Sequence, residues 1–179
     1  MYFNEIIKGK YIDMRCVTTD DAQFIVNLRN DDSLNKYVHT VSKDVELQAE
    51  WIRKQIARDN DYYFIYSDKN GKPVGLCSVY DIDSNSQTAS FGRWISWGNA
   101  AENVESVILS FDFAFKNNIR TLYLDMVSGN TKIIKFWKRF GAQYDKELFI
   151  DDMHLSRYIV TDEMYNSDLR RKNTTLLKY

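Results

Sequence analysis

Hydrophobic positions along the chain switch several times between two periods, and each switch marks a predicted element. Alternation at every second residue is typical of a half-buried strand. It occupies residues 11–17, 61–66, 72–81, 88–96, 121–127, 142–150 and 153–160. Apolar residues three and four positions apart are typical of an amphipathic helix. They occupy residues 19–30, 42–56, 102–116 and 131–140. The pattern predicts the element order β-α-α-β-β-β-α-β-α-β-β.

The spacing of these elements predicts one domain over residues 1–160 and a polar tail over residues 161–179. Residues 1–9 are predicted to be a loose lead-in, and the tail has room for one short helix. Turn residues separate the later strands. Asp68-Lys69-Asn70-Gly71 predicts one hairpin, and Asp151-Asp152 predicts the turn of the last one. The chain shows neither an internal repeat nor a linker.

The most informative stretch begins with the fifth predicted strand and ends at residue 142. After the alternation over residues 121–127, Asn130 or Thr131 can cap a helix. Lys138 and Arg139 then occupy its last turn, and Gly141 is placed to end it in the left-handed conformation. The stretch predicts a strand, a short polar break, a helix and a stop.

This spacing resembles that of the Gcn5-related N-acetyltransferases, the GNAT superfamily. In that family, strand five ends near an Asn, an aromatic residue follows seven positions later, and a Gly follows four positions after that. Here those places hold Asn130, Trp137 and Gly141. The resemblance extends over about residues 10–160. The Leu28-Arg29-Asn30-Asp31 segment is most similar to the branch with ribosomal-protein alanine, polyamine and amino-sugar N-acetyltransferases.

The resemblance implies an α/β (α+β) GNAT fold with acetyl-CoA as cofactor. Its mixed, twisted sheet would have about seven strands, splayed between strands four and five, and four main helices. The family's pyrophosphate loop, [Arg/Gln]-x-x-Gly-x-[Gly/Ala], falls where this chain lacks the basic residue. A plain Asn cap with an acid in the first helical turn is the alternative for that loop. The implied cofactor residues are Trp94, Ile95, Ser96, Trp97, Gly98, Asn99, Ala100, Ala101, Glu102, Asn103, Asn130, Ile133, Phe136, Trp137 and Arg139.

Three residues are candidates for the catalytic roles: Asp81, His154 and Trp137. Trp137 stands where the family usually has a Tyr, and an indole N–H donates a hydrogen bond but is no acid near neutral pH. Asp81, His154 and His39 are candidate bases, because a neutral His has a suitable unperturbed pKa. Asp81 could equally start a turn, and a base acting through water would leave no sequence signature.

The acceptor site is predicted from the residues that the resemblance brings to the strand-four and strand-five split. Arginines suit a phosphate or carboxylate, and Tyr80, Phe91 and Trp97 suit stacking on a base or sugar. These types favour a nucleotide-linked amino sugar. A polyamine, a protein N-terminus, or a non-catalytic GNAT-fold binding or regulatory role are the alternatives. The predicted acceptor residues are Arg29, Asn30, His39, Tyr80, Asp81, Phe91, Arg93 and His154.

The composition of the chain narrows the classes of partner that we expect it to bind. Twenty-four basic and 25 acidic residues give a net charge of −1, so no bulk field favours nucleic acid. Cys16 and Cys77 are isolated, which predicts neither a metal site nor a disulfide framework. No apolar run approaches the ~20 residues that span a bilayer, and the start does not resemble a signal peptide. We therefore expect a cytoplasmic enzyme acting on a small-molecule amine, with a homodimer possible through the last hairpin.

Overall fold

The computed structural model describes residues 1–38 and 40–177. Its strands are β1 (Ile7–Lys8), β2 (Ile12–Cys16), β3 (Asp61–Asp68), β4 (Pro73–Asp83), β5 (Thr88–Ser96), β6 (Thr121–Val127), β7 (Gln143–Ile150) and β8 (Met153–Thr161). Its helices are α1 (Ala22–Arg29), α2 (Val45–Ile56), α3 (Ala100–Lys116), α4 (Thr131–Phe140), α5 (Asp162–Met164) and α6 (Arg170–Leu176), with a π-helical stretch at Tyr165–Leu169. Short 3₁₀ turns lie at Thr19–Asp21 and Asn35–Tyr37.

The strands of the described residues form one eight-stranded mixed sheet in the order β1-β2-β3-β4-β5-β6-β8-β7. Strands β5 and β6 are parallel and are joined through α3, whereas the other neighbouring strands pair antiparallel. The fold is therefore the predicted single-domain α/β arrangement.

The sheet splits between β5 and β6. Their parallel register, within the described residues, joins Thr88 to Thr121 and ends where Ser90 meets Tyr123. Further along, Ser78 of β4 pairs with Gly92 and Leu76 pairs with Ile95. An advance of two residues along β4 therefore faces an advance of three residues along β5. The extra residue forms a β-bulge, which bends β5. The predicted splay is confirmed, and it leaves the edge of β5 beyond Ser90 facing a cleft.

Two hydrophobic layers cover the sheet. On one face, α3, α4 and the C-terminal helices pack Phe111, Trp137 and Phe140 against the inward residues of the strands. On the other face, α1 and α2 pack residues such as Leu28 and Ile52 against β3 and β4. Both faces of the central strands are therefore buried, which explains why they are apolar over long runs.

Helix termini follow the sequence signals closely. The Asn130 side chain caps α4 by accepting from the Ile133 N–H at 3.3 Å. Gly141 ends α4 at φ +109°, and a Cβ there would collide with Leu169. Asp151 and Asp152 both adopt positive φ in the last hairpin turn, as a tight turn requires.

Two regions differ from the expectation. Residues 1–9 contain β1, which pairs with β2 through Ile7 and Met14, and this adds the eighth strand. The tail holds more than one short helix, and it is anchored: the Tyr165 hydroxyl donates to Ile108 O at 3.1 Å and lies 3.0 Å from Asp112 Oδ1. Among the described residues, no helix is both long and apolar enough to cross a membrane.

Candidate active site

Three adjoining clefts surround the place where β5 and β6 separate. The α3–α4 cleft, of about 500 Å³, lies between the N-termini of α3 and α4. The β5–β6 cleft, of about 430 Å³, lies at the split itself. The α1–α2 cleft, of about 440 Å³, lies between the end of α1, the start of α2 and the sheet. Shared wall residues join the three in series.

The α3–α4 cleft brings together many of the predicted cofactor residues. They come from the free edge of β5, from the first turns of α3 and from α4: Trp94, Ile95, Ser96, Ala100, Asn103, Asn130, Ile133 and Phe136. Residues of the loop after α1 and two helix residues complete the wall and were not predicted: Leu34, Tyr37, Val38, Val104 and Lys132. A strand edge beside an apolar wall suits an extended amide-containing chain.

The α3 N-terminus is closed by its own side chains. Asn99 Oδ1 accepts from the N–H groups of Ala101, at 2.9 Å, and Glu102, at 3.1 Å. Glu102 Oε2 in turn accepts from the Asn99 N–H at 2.7 Å, which completes a capping box. The Gly98 N–H donates to Ser96 Oγ at 2.7 Å. Four of the backbone N–H groups that could cradle a pyrophosphate are thus engaged within the loop.

The loop is also tightly packed at its two ends. A Cβ on Gly98 would lie 2.9 Å from both Glu102 Oε2 and Ser96 Oγ, so a larger residue there would force these side chains to shift. The Asn103 amide donates to Gly98 O at 2.9 Å and accepts from the Tyr66 hydroxyl at 3.0 Å. The hydrogen bonds of the predicted loop residues therefore hold the local conformation of the loop and of the start of α3.

The β5–β6 cleft brings together six of the predicted catalytic and acceptor residues: Arg29, Tyr80, Asp81, Phe91, Arg93 and Trp137. Trp137 is buried and belongs to an aromatic cluster, with its ring parallel to Phe111 at 6.0 Å and tilted against Trp94 at 5.7 Å. The indole of Trp94 is fixed by donating to Ser106 Oγ at 3.1 Å. These rings form an apolar wall at the split.

Sequence reasoning missed several residues of this cleft. Asp125 lies on β6 and pairs with Arg157 through two hydrogen bonds of 2.7 Å. The signal for Asp125 in the sequence was a charged side chain within the alternating pattern of β6. Tyr37 lines both this cleft and the α3–α4 cleft, and its hydroxyl donates to Gly129 O at 3.1 Å. The hairpin residues Ile150, Met153 and Leu155 close the far side.

Two cleft residues have a strained backbone. Asp81 has φ +51° and Arg93 has φ +49°, and each lies at a bulge within a strand. The other positive-φ residues with side chains, within the described part of the chain, lie in turns or connections: Gln87, Asn118, Asp151 and Asp152. Such strain in a strand is costly and clusters at functional sites. It aims the side chains of Asp81 and Arg93 toward the clefts.

Arg93 is held by a buried partner. Its Nη1 lies 2.7 Å from Asp61 Oδ1 and 3.2 Å from Ser78 Oγ, and Asp61 is only 2% exposed. Its guanidinium carbon lies 4.6 Å from the centre of the Tyr80 ring. Burial raises the pKa of the Tyr80 hydroxyl, and the nearby Arg93 charge offsets part of that rise. Tyr80 is therefore neutral and Arg93 is fixed in place.

Eight of the predicted residues that the structure describes do not line these clefts: Asn30, Trp97, Gly98, Asn99, Ala101, Glu102, Arg139 and His154. Trp97 is exposed, packs edge-on against Phe24 and donates to Asp31 Oδ2 at 2.6 Å. The Asn30 side chain donates back to Val26 O at 3.0 Å. Arg139 is exposed in the last turn of α4. His39 lies outside the described residues.

His154 also lies outside these clefts. Its neighbours Met153 and Leu155 line the β5–β6 cleft, so strand alternation turns His154 to the opposite face. There its Nε2 lies 2.8 Å from Glu147 Oε2, and its ring stacks on Phe149 at 4.6 Å. The structure does not bring His154 to the other candidate catalytic residues.

A family model described as an acetyltransferase (GNAT) domain matches residues 12–143. The chain belongs to the GNAT family of acetyltransferases. It is therefore an enzyme, and the predicted recognition is confirmed. No curated protein matches the chain.

Solved GNAT structures superimpose over nearly the whole chain. Apo FdhC, a nucleotide-linked sugar GNAT, has a TM-score of 0.80 at 29% identity, over 95% of this chain and 97% of that one. A GCN5-related N-acetyltransferase from Brucella melitensis has a TM-score of 0.81 at 17% identity, over 98% and 86%. A chimera of the spermidine N-acetyltransferase SpeG from Vibrio cholerae and hSSAT has a TM-score of 0.76 at 18% identity, over 88% and 99%. The last two show the fold alone.

GNAT domains generally use acetyl-CoA, and the α3–α4 cleft fits part of that molecule. The free edge of β5 and the apolar wall of Ile133 and Phe136 suit the pantetheine arm. The pyrophosphate end fits less well, because Asn99 and Glu102 already occupy the amide donors and Glu102 adds a negative charge. The residues that would hold the arm are thus present, while the capping side chains must move to admit phosphates.

Proposed function

We propose that this enzyme transfers an acetyl group from acetyl-CoA to the amine of a nucleotide-linked amino sugar. The observation that carries the proposal is the charge distribution of the β5–β6 cleft. Asp81 offers a carboxylate beside the split, where Asp125 is already paired with Arg157. Arg29 and Arg93 offer guanidiniums on the wall shared with the α1–α2 cleft. An acceptor with a positively charged amine at one end and negatively charged phosphates at the other would be complementary to both the carboxylate and the guanidinium groups.

The likeness to FdhC supports the same substrate class. At 29% identity over nearly the whole of both chains, that nucleotide-linked sugar GNAT shares more sequence with this chain than the spermidine N-acetyltransferase chimera does at 18%. A polyamine carries several positive charges, and its site would be expected to be lined by carboxylates rather than by a pair of arginines. The arginine wall therefore favours an anionic acceptor over a polyamine.

The roles of the side chains follow from their places around the split. Bound acetyl-CoA would supply the acetyl group as a thioester. Asp81 accepts the proton that the acceptor's ammonium group must lose before its nitrogen can attack. The Trp137 indole donates a hydrogen bond where the family pattern has a Tyr hydroxyl. Tyr80 and Phe91 bound the space for the sugar ring and limit the access of water.

A panel of acceptors tests the proposal directly. Purified enzyme is mixed with acetyl-CoA and, separately, with UDP- and dTDP-linked amino sugars, spermidine, and a peptide with a free N-terminal Ala. Thiol release and the mass of the product are measured. We expect a nucleotide-linked amino sugar to have the highest kcat/KM. A higher kcat/KM for spermidine or the peptide would overturn the proposal in favour of that alternative class.

We also propose a homodimer joined at β7. This strand is the outermost of the sheet beside β8, and its Phe149 side chain is 79% exposed. An exposed edge strand that carries apolar side chains is a ready site for pairing with another chain. The cytoplasmic location and the lack of a nucleic-acid partner stay predictions.

A further inference from the structure

The α1–α2 cleft is a second space beside the proposed acceptor site. Its volume, about 440 Å³, is similar to the 430 Å³ of the β5–β6 cleft. The two clefts share two wall residues, Arg29 and Arg93. The arginines therefore stand at the junction between the spaces, and a ligand that occupies both must pass between or beside the two guanidiniums.

The junction suits a diphosphate. Arg93 uses Nη1 for its bonds to Asp61 and Ser78. A guanidinium has further donors on its other nitrogens, in a planar fork that matches phosphate oxygens. Arg29 lies close enough to Tyr63 that its charge, together with that of Arg93, offsets part of the pKa rise that burial gives to Tyr63. Both cations thus face the same buried ring.

The far wall of the α1–α2 cleft suits an aromatic base. Trp51 of α2 lines it and is 36% exposed. Its ring meets the buried Tyr63 in a T-shaped contact at 5.7 Å, which fixes the plane of the indole. Arg93 lies 5.7 Å from the centre of the same indole ring. A planar base inserted beside Trp51 would therefore be one short step from the arginine junction.

We infer that the α1–α2 cleft is the nucleoside subsite of the acceptor, with Trp51 as the stacking ring. In a nucleotide-linked sugar the diphosphate lies between the nucleoside and the sugar. The clefts repeat this order, with Trp51 in one, Arg29 and Arg93 at the junction, and Asp81 in the other. The inference rests on the proposed function, and it adds the place where the nucleobase of the acceptor binds.

Binding of nucleoside diphosphates without a sugar tests the subsite apart from catalysis. UDP, dTDP, CDP and GDP are each titrated calorimetrically into the wild type and into Trp51→Ala, Trp51→Phe and Tyr144→Ala. Removal of an aromatic ring on which a base stacks, by substitution with Ala, weakens affinity about 5- to 150-fold. We expect that loss in Trp51→Ala for the diphosphate that binds best. Trp51→Phe retains a ring and most of the affinity, and Tyr144→Ala, an exposed ring on β7, binds as the wild type does.

Kinetics separate this inference from the proposed function. We expect Trp51→Ala to raise KM for the nucleotide-linked amino sugar with little change in kcat, and to leave KM for the corresponding amino-sugar 1-phosphate unchanged. If nucleotide-linked amino sugars are acetylated but Trp51→Ala changes neither their KM nor diphosphate binding, the subsite is overturned and the proposed function stands. If no such sugar is acetylated and no nucleoside diphosphate binds, both are overturned.

Discussion

Glu102 and Asn99 bond to each other reciprocally at the start of α3. Glu102 Oε2 accepts from the Asn99 N–H at 2.7 Å, and Asn99 Oδ1 accepts from the Glu102 N–H at 3.1 Å. The pair supplies intramolecular oxygens at the place where the family binds phosphate oxygens. We therefore expect the negative charge of Glu102 to oppose a bound pyrophosphate, while its hydrogen bond stabilises the helix.

Glu102→Gln is expected to tighten acetyl-CoA binding about 3- to 10-fold at low salt, because it removes a like charge from the helix terminus at which the pyrophosphate would bind. Gln preserves the capping box, so the helix keeps its start. Isothermal calorimetry measures Kd. Glu46→Gln is the control, since Glu46 is an exposed acid in the first turn of α2. An unchanged or weaker Kd in Glu102→Gln would show that the carboxylate does not oppose the phosphates.

Trp137→Tyr tests whether proton donation limits the rate. Trp137 is 3% exposed and packs in the aromatic cluster, so Tyr and Phe at this position should both cost about 1–3 kcal/mol of unfolding free energy. We expect kcat of Trp137→Tyr to exceed that of both the wild type and Trp137→Phe, because only Tyr restores a hydroxyl. Trp137→Phe controls for the lost volume. A kcat for Trp137→Tyr at or below the wild-type value would show that proton donation does not limit the rate.

Asp81→Asn tests the proposed base. Asn tolerates the left-handed backbone of Asp81, so the change removes the charge with little strain. We expect kcat/KM to fall about 100-fold or more, within the range for loss of general base catalysis, with the melting temperature nearly unchanged. Asp59→Asn, at an exposed position between α2 and β3, should retain wild-type activity. Equal rates for Asp81→Asn and the wild type would point instead to a base acting through water.

Asp21 is expected to make stability depend on acid pH. It accepts from Arg15 at 2.8 Å twice and from the Thr18 N–H at 2.8 Å. Burial raises its pKa, but the bonds from Arg15 and Thr18 outweigh that effect and leave the folded-state pKa below its usual range. The stabilisation is thus present above the unfolded-state pKa near 4, and it is lost as the pH falls through the lower folded-state value.

Asp21→Asn should lower the unfolding free energy by roughly 1–2 kcal/mol near neutral pH, a value reduced because the Arg15 side chain is 39% exposed. The difference from the wild type should shrink as the pH falls below the unfolded-state pKa near 4 and through the lower folded-state value. Denaturant unfolding at several pH values measures it. Asp20→Asn, an exposed acid in the same turn, is the matched control. A difference that grows at acid pH would contradict the assigned sign.

Phe149→Lys tests the proposed dimer. A lysine on an edge strand discourages pairing with another chain. We expect light scattering to give a dimer mass for the wild type and a monomer mass for the variant. Ile6→Lys is the control, because Ile6 is also exposed but lies beside β1 at the other edge of the sheet. A monomeric wild type at every concentration would rule the dimer out.

The sequence predicted the fold well where one strong period ran through an element. The strand, Asn cap and Gly stop over residues 121–141 have local signals for every part, and the structure has each of them. The two-residue strand β1 is too short to show a period. The tail is polar on average, yet buries Tyr165 against α3, a contact that no local pattern reveals.

The clefts were predicted less completely, because their residues converge only in the folded chain. Trp51 and Tyr63 come from α2 and β3, and neither has a neighbour in sequence that marks it as a ligand contact. The left-handed backbone of Arg93 runs against the conformational preference of arginine, so propensity does not predict it. The Asn99 and Glu102 cap, in contrast, was visible in the sequence as the alternative to a phosphate loop.

The shared walls of the clefts have a thermodynamic consequence. Tyr37, Trp94, Asn130 and Ile133 belong to both the α3–α4 cleft and the β5–β6 cleft. If the acetyl donor, acetyl-CoA, shifts or immobilises these side chains on binding, it changes the surface that the acceptor contacts. By linkage, the factor by which the donor changes the affinity for the acceptor equals the factor by which the acceptor changes the affinity for the donor. Titrations of the acceptor and of free CoA, which carries no acetyl group to transfer, each with and without the other, should therefore yield one common coupling free energy.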